Sequence, residues 1–297
     1  MNQDTPAGHD DESIDFAVPT ISVVVPVGGV DEDLDEQLTA LAAQDFDRPW
    51  ELVLSVNRSG VATDPRVTAP PLHPYAGLRV IDSSAVRGAA HARNAGAAAA
   101  NSDPARVLRR RRSGRTGLAH SAIVTALDAS EVVGGHLDEE QLSPAGQERW
   151  RPPATPGELP SYLGHRYPVS ANMGARRSAF QKVGGFPEGL TRCEDIAFGW
   201  ALADAGVELA YAPDAVVHYR HRPGLWTMIR QHHYYGIGMT EVIERQGLPG
   251  GETPSGMLAA NRQAVTKRSA IHLMRRAAIA TGRVRGLVQE RLRQRRR

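Results

Sequence analysis

Cysteine, lysine, aromatic side chains and long apolar runs are all scarce in this 297-residue chain. The single cysteine, Cys193, excludes an intrachain disulfide and a cysteine-rich metal site, and it suits a reducing compartment. Lysine occurs only at Lys182 and Lys267, so the basic side of the charge balance is almost entirely arginine. No apolar run approaches the ~20 residues that span a bilayer. Aromatics make up only 5% of the chain, and no recognised nucleic-acid motif is present. Both observations argue against nucleic-acid binding, even though Arg109–Arg112 and the C-terminal arginines offer basic clusters. Residues 1–16 carry Asp4, Asp10, Asp11, Glu12 and Asp15 with no lysine or arginine, and they lack the basic and apolar regions of a secretory signal. The expected location is therefore cytoplasmic, with residues 1–18 as a disordered acidic tail.

A hydrophobic fraction of 41% is enough for a buried core. The net charge of +2 conceals a polarity, with acid at the N-terminus and Arg291, Arg293, Arg295, Arg296 and Arg297 crowded at the other end. Ile21–Pro26 is a β-branched run that predicts a buried strand, followed by a turn at Gly28-Gly29. Leu34, Leu38 and Leu41 then recur at helical spacing behind Asp31 and Asp33, which are candidate caps. Further strands are predicted at Glu51–Val56, Leu78–Ile81, Val107-Leu108 and Glu131–Gly135, with helices over Gly88–Ala100 and Leu118–Leu127. Two short strands, Glu208–Tyr211 and Ala215–Tyr219, follow a long polar loop spanning Ser143–Pro168.

This alternation predicts an α/β fold with a doubly wound, mainly parallel sheet flanked by helices. Ligands bind such sheets at the carboxyl ends of the strands. The turns after Pro26, Val56, Ile81 and Leu108 are therefore expected to line the site. Residues 19–245 form the expected domain, and 246–297 a linker and basic helical tail. Thr266–Arg297 reads as a helix with an apolar stripe of Ile271, Met274, Ala278, Val288 and Leu292, interrupted near Gly282. Packing on its own domain is the first reading of that helix, because a basic stripe alone is a weak signal. Peripheral attachment to an anionic membrane surface is the second.

The most specific constellation runs from Ala171-Asn172-Met173 through Arg177, Phe180 and Val183-Gly184-Gly185-Phe186 to Cys193-Glu194-Asp195. With Ile21–Pro26, Arg87-Gly88 and Ala92–Gly96 ahead of it, the chain resembles a family 2 glycosyltransferase of the GT-A fold over roughly Pro19–Gly238. Four motifs in the right order make the match specific.

The resemblance implies inverting transfer of a sugar from a nucleotide-diphosphate donor to a carbohydrate or lipid-linked acceptor, in a setting such as cell-envelope polysaccharide synthesis. It also implies a divalent metal, Mn or Mg. Asp195 would be the base that takes the acceptor's proton, with Glu194 as acceptor contact or structural partner. The bland reading of the pair is a cap on the following helix, where anions suit the dipole. Pro26, Val27, Asn57, Arg87, Arg93 and Asn94 would form the nucleotide side. Asn172 and Gln231 would face the acceptor or donor sugar. His218 is the one candidate metal ligand, and Arg220 and His221 beside it are candidate diphosphate contacts. Val56 stands where the family usually has an aspartate beside the asparagine.

In the family, the strand ending near Leu108 closes on acidic residues that hold the metal. Here it runs into Arg109-Arg110-Arg111-Arg112-Ser113-Gly114-Arg115. Arginines repel a cation yet can stabilise a diphosphate themselves. A frame shift explains the run better. Asp-Ala-Asp-Asp, coded GAC GCC GAC GAC, reads one base out of frame after a C as CGA CGC CGA CGA, which is four arginines. On that hypothesis Arg109 to about Gly117 is an out-of-frame patch. Enzymes with an impaired metal site, and an inactive nucleotide- or partner-binding relative, are the two classes the sequence leaves open. If metal ligands come from elsewhere, Asp103, Asp138 and His218 are the first candidates.

Overall fold

The β-branched runs of the N-terminal half become strands covered on both faces. In the computed structural model, which describes residues 19–44, 46–103, 105–108, 119–143, 154–155, 157–247 and 270–295, β1 (Ser22–Val27) and β2 (Trp50–Val56) are buried at every position. Burial on both faces is why these strands read as near-continuous apolar runs. β3 (Ala76–Asp82) lies at the sheet edge and is mostly half-buried or exposed. Helices α1 (Glu32–Ala42), the short α2 (Pro65–Thr68) and α3 (Ala89–Ala99) make the connections. Asp31 caps α1, its side chain accepting from the Leu34 N–H at 3.2 Å. Leu34, Leu38 and Leu41 face the core with Val23, Val25 and Val27. α3 covers the opposite face, where Gly96 comes so close that a Cβ there would meet Val24 Cγ1 at 2.3 Å.

β4 (Ala105–Leu108), α4 (Ala119–Ala129), β5 (Val132–Asp138), a hairpin of β6 (Ser161–Tyr162) and β7 (His165–Arg166), β8 (Asn172–Ala175), α5 (Arg177–Lys182), α6 (Glu194–Asp204), β9 (Leu209–His218), α7 (Leu225–Gln246) and α8 (Ala270–Gln294) complete the described chain. The main sheet has seven strands in the order β3-β2-β1-β4-β8-β5-β9. Only β8 is antiparallel to its neighbours β4 and β5. The expected α/β architecture, a mainly parallel sheet between helices, is the one observed.

Two local expectations are corrected, and the expected C-terminal helix is observed over Ala270–Gln294. The two short strands predicted over 208–219 are one strand, β9, carrying an irregularity. Gly135 pairs with Ala212 but His136 pairs with Val216, so residues 213–215 are extra on β9. Pro213 sits in this bulge, where its missing N–H removes no ladder bond. The predicted loop over Ser143–Pro168 contains the β6–β7 hairpin. The C-terminal helix runs unbroken through Gly282. A Cβ at Gly282 would lie 2.0 Å from the His233 carbonyl oxygen, and one at Gly236 2.2 Å from that of Ile279. Close approach of α7 and α8 therefore depends on these glycines, and it outweighs their propensity cost of ~1 kcal/mol each. The acidic residues 1–18 and the segment Arg109–Gly117 lie outside the described residues.

Candidate active site

The Glu194-Asp195 pair is presented by a loop that α7 holds from behind. Cys193 precedes the pair in the left-handed conformation, φ 69° and ψ 26°, and acts as the N-cap of α6 without a side-chain cap. Such a backbone costs ~1–2 kcal/mol for a non-glycine residue and persists only where its surroundings enforce it. Those surroundings are visible. Glu241 of α7, fully buried, accepts from the Thr191 N–H at 2.6 Å and from its hydroxyl at 2.9 Å. Arg245 donates to the Gly189 carbonyl at 2.9 Å, and Gly238 lies against the backbone of Arg192. The Cys193 thiol points to the Tyr235 carbonyl at 3.7 Å. Burial, then the neighbouring carboxylates of Asp195 and Glu194, push that thiol well above its ordinary pKa, so it stays protonated.

Behind this loop lies a cavity of about 460 Å³. Leu137 and Tyr219, at the carboxyl ends of β5 and β9, line it on one side. Glu194 and Asp195 come from α6, Gln231 and Tyr235 from α7, and Arg275 from α8. The Asp195 carboxylate accepts from the Ile196 N–H at 3.0 Å. That contact fixes the side chain in the first turn of α6, although the cap position itself belongs to Cys193. Gln231 donates to the Tyr235 hydroxyl. Tyr167, also in the wall, is kept a neutral phenol, first by burial and then by the charge of Asp195, which raise its pKa. Glu194, Asp195 and Gln231 thus share one cavity wall.

The other predicted site residues are placed differently. Arg93 is fully buried; it donates to Glu194 at 2.9 Å and its guanidinium lies 5.2 Å from the Phe186 ring centroid. A side chain with no exposed surface cannot touch a nucleotide, so Arg93 acts on Glu194 instead. Asn94 donates to the Phe186 carbonyl at 2.8 Å and accepts from its N–H at 2.9 Å, which fastens the glycine turn to α3. Asn172 is fully buried and cannot face a sugar. Its amide donates to the carbonyls of His136, at 3.0 Å, and Ala215, at 2.6 Å. It satisfies backbone groups at the β9 bulge, and Gly135 leaves it room, since a Cβ there would lie 2.2 Å from the amide nitrogen.

Pro26, Val27 and Asn57 stand at the ends of β1 and β2, with Arg87 exposed in the loop before α3. Asn57 accepts from the Gly88 N–H at 2.7 Å and donates to the carbonyls of Ser83 and Val86, tying this loop to β2. None of these four residues lines the Asp195 cavity. The expected site is therefore in two parts, one on the β1–β3 half of the sheet and one on the β5–β9 half. The residues that follow β4, between the halves in strand order, lie outside the described residues.

His218 Nδ1 lies 2.8 Å from Asp138 Oδ2, across paired strand ends. Burial alone would raise the Asp138 pKa, but the N–H groups of Glu140 and Gln141 and the His218 ring together bring it below the usual carboxylate value. Asp103 accepts from the Arg177 N–H at 2.7 Å, at the start of α5. Among the described residues no group of three His, Cys, Asp or Glu side chains is arranged to hold a metal ion. Asp138 and His218 stand side by side, while Asp103 is engaged at the start of α5. Arg220 and His221, read as diphosphate contacts, pair instead with Asp33 and Glu36 of α1 and with Glu139.

Sequence reasoning missed Arg275, Tyr167 and Glu241. Arg275 was hidden among many basic residues of a helix read as a tail. Glu241 looked like an ordinary helix-surface acid. Its spacing to Arg245, four residues on, was the one local signal.

Residues 161–288 match the family model described as "Glycosyl transferase family group 2". A 70-residue stretch is 40% identical to the pre-mycofactocin glycosyltransferase of Mycobacterium tuberculosis, covering 24% of this chain and 15% of that protein's length. Among solved structures, a mannosyltransferase from Pyrobaculum calidifontis, in complex with GDP-Man and Mn2+, superposes with a TM-score of 0.58 at 17% identity, over 91% of this chain and 88% of that one. TarS from S. aureus, in complex with UDP-GlcNAc, gives 0.54 at 19% identity, over 76% and 67%. Glucosyl-3-phosphoglycerate synthase from Mycobacterium tuberculosis, in complex with Mn2+, UDP-Glc and phosphoglyceric acid, gives 0.51 at 17% identity, over 78% and 81%. At these identities the structural likeness carries the fold. The structural likeness gives the chain the GT-A fold, and its residues 161–288 match the glycosyl transferase family group 2 model, in line with the resemblance found in the motifs.

Proposed function

We propose that this chain transfers a sugar from a nucleotide-diphosphate donor to an acceptor hydroxyl, with inversion, and that Asp195 is the base. The observation that carries the reading is the cavity of about 460 Å³ with Asp195 in its wall, beside Gln231 and on a loop held by α7. A carboxylate that lines a cavity can reach the proton of a hydroxyl bound there. Glu194, locked by Arg93, positions the turn. The nucleotide lies at the ends of β1 and β2, near Asn57 and the exposed Arg87, while Pro26 and Val27 are buried and shape the strand end without side-chain contact. The GDP-Man, UDP-GlcNAc and UDP-Glc held by the structural neighbours support this donor class.

The Mn2+ bound in two of those neighbours supports a divalent metal in relatives of this fold. For this chain we retain the frame hypothesis at Arg109–Gly117, with impaired transfer as its consequence. Sequencing the coding DNA decides it, since the idea requires an alternative frame that encodes an acidic strand end.

The defining experiment is a panel of nucleotide sugars assayed for release of nucleoside diphosphate. Asp195→Asn should abolish release in the presence of acceptor, with an unchanged melting temperature. Near-normal turnover in that variant would reduce Asp195 to a helix-start residue. Nucleoside diphosphate binding without any turnover would favour the inactive relative instead.

The outward face of α8 supports peripheral attachment to an anionic membrane. Leu273, Val284, Leu287, Val288 and Leu292 are exposed there, with exposed Arg276, Arg285, Arg291 and Arg295 around them. The helix's one acid, Glu290, is buried against Arg245 and Arg293. Apolar stripes flanked by arginine bind anionic interfaces. Co-sedimentation with phosphatidylglycerol vesicles, lost on Val284→Glu, tests this; equal binding to neutral vesicles would refute the electrostatic part.

A further inference from the structure

Arg275 is the one side chain of α8 in the wall of the Asp195 cavity. It is half-buried, and its Nε is a buried donor with no hydrogen-bond acceptor among the described residues. The other charged side chains of the wall are differently situated. Asp195 accepts from the Ile196 N–H at 3.0 Å, Glu194 is bonded to Arg93, Glu139 lies 3.2 Å from His221, and Arg192 is exposed and donates to the Thr191 carbonyl at 2.7 Å. Burial lowers the Arg275 pKa with no carboxylate contributing in the opposite sense. A guanidinium stays charged at neutral pH even so. A half-buried guanidinium whose buried Nε has no acceptor among the described residues gains from a ligand that supplies one. Its planar fork of donors matches the oxygens of a carboxylate or a phosphate.

The position of this cation separates two sources of such an anion. The cavity wall is built from the ends of β5 and β9, from the segment between Ala154 and Val169, and from α6, α7 and α8 with the loop before α6, and it includes no residue of β1, β2 or β3. The donor's diphosphate belongs at the β1–β3 half on the reading given above. The molecule that enters beside Asp195 is the acceptor.

We propose that Arg275 recognises an anionic group on the acceptor, a carboxylate or a phosphate monoester, and so selects acidic acceptors over neutral ones. This rests on the assignment of the Asp195 cavity to the acceptor. Its test reads anion binding rather than turnover, so the two can fail separately. The full chain is titrated calorimetrically with inorganic phosphate and with glycerate at fixed ionic strength, and separately with UDP and GDP. At least one of the two small anions should bind saturably. Its affinity should fall at least tenfold in Arg275→Gln and take an intermediate value in Arg275→Lys, which keeps the charge but not the fork. UDP and GDP affinities should stay within twofold of the parent in both variants. A parallel loss of UDP or GDP affinity would overturn the proposal and assign Arg275 to the donor. Small-anion binding that is absent, or indifferent to both substitutions, would overturn it as well. Asp195→Asn should leave phosphate affinity no weaker than in the parent; if phosphate binding holds while transfer proves independent of Asp195, the catalytic reading falls and the anion site stands.

Discussion

Arg93→Met offers a sharp test of how the Glu194-Asp195 turn is built. The arginine side chain is 0% exposed and Glu194 15% exposed, with 2.9 Å between Nη1 and Oε1. Removing one partner of a fully buried pair costs about 3–5 kcal/mol, because the other charge is left without compensation. Glu194 keeps some contact with water, which lowers the cost, while loss of the guanidinium over Phe186 adds up to about 1 kcal/mol. Together these give a destabilisation of about 2–4 kcal/mol, or roughly 3–6 °C in melting temperature for a chain of this size. The double variant Arg93→Met/Glu194→Gln carries no uncompensated charge. It should be more stable than the single one, with a coupling energy of about 1–3 kcal/mol in the cycle. Urea unfolding of the four proteins at pH 7 measures all of this. UDP or GDP affinity of folded Arg93→Met should stay within threefold of the parent. If the single substitution costs less than about 1 kcal/mol, or the cycle shows no coupling, the pair does not hold the turn. A hundredfold loss of nucleotide affinity with normal stability would restore Arg93 to the nucleotide site.

Other expectations follow from single contacts. Gly282→Val should destabilise the chain by about 1–3 kcal/mol in urea unfolding, because the new side chain meets the His233 carbonyl and must drive α8 from α7. Asn172→Ala should cost about 2–4 kcal/mol, since it leaves the His136 and Ala215 carbonyls without their donor, while changing apparent acceptor affinity little. The Asp138 carboxyl has a folded-state pKa below its unfolded value. Its contribution is therefore present in full above pH about 4–5 and lost as the pH falls through the lowered folded value. Asp138→Asn should consequently flatten the loss of stability between pH 5 and about pH 2, measured as the urea midpoint against pH.

Patterns that depend on local periodicity and backbone chemistry could be read from the chain alone. β-branched runs such as Ser22–Val27 and Trp50–Val56 form strands because burial on both faces demands apolar side chains at every position. Asp31 could be read as a cap because capping is a three-residue interaction. The ordered motifs ending in Glu194-Asp195 pointed to the GT-A fold, since their spacing reflects a fold that must bring distant turns together. The two polar residues with the most specific sequence context, Arg93 and Asn172, were nevertheless misassigned. A motif records that a residue type is required, and it is silent on whether the requirement is a ligand or a buried neighbour.

Only the tertiary structure separated those cases. Arg93 meets Glu194 across 101 positions of sequence and Asn172 meets Ala215 across 43. Both contacts exist because helices and strands remote in the chain pack side by side. The same holds for Arg275: packing of its helix on the domain could be expected, but only the close approach of α8 to α7 at Gly236 and Gly282 shows its guanidinium in the wall that Asp195 shares. Local sequence determined which segments form helix and strand, through the pattern of apolar side chains. Burial and electrostatic partnership belong to pairs of distant residues, and packing alone decided which charged groups hold the frame and which face the cavity.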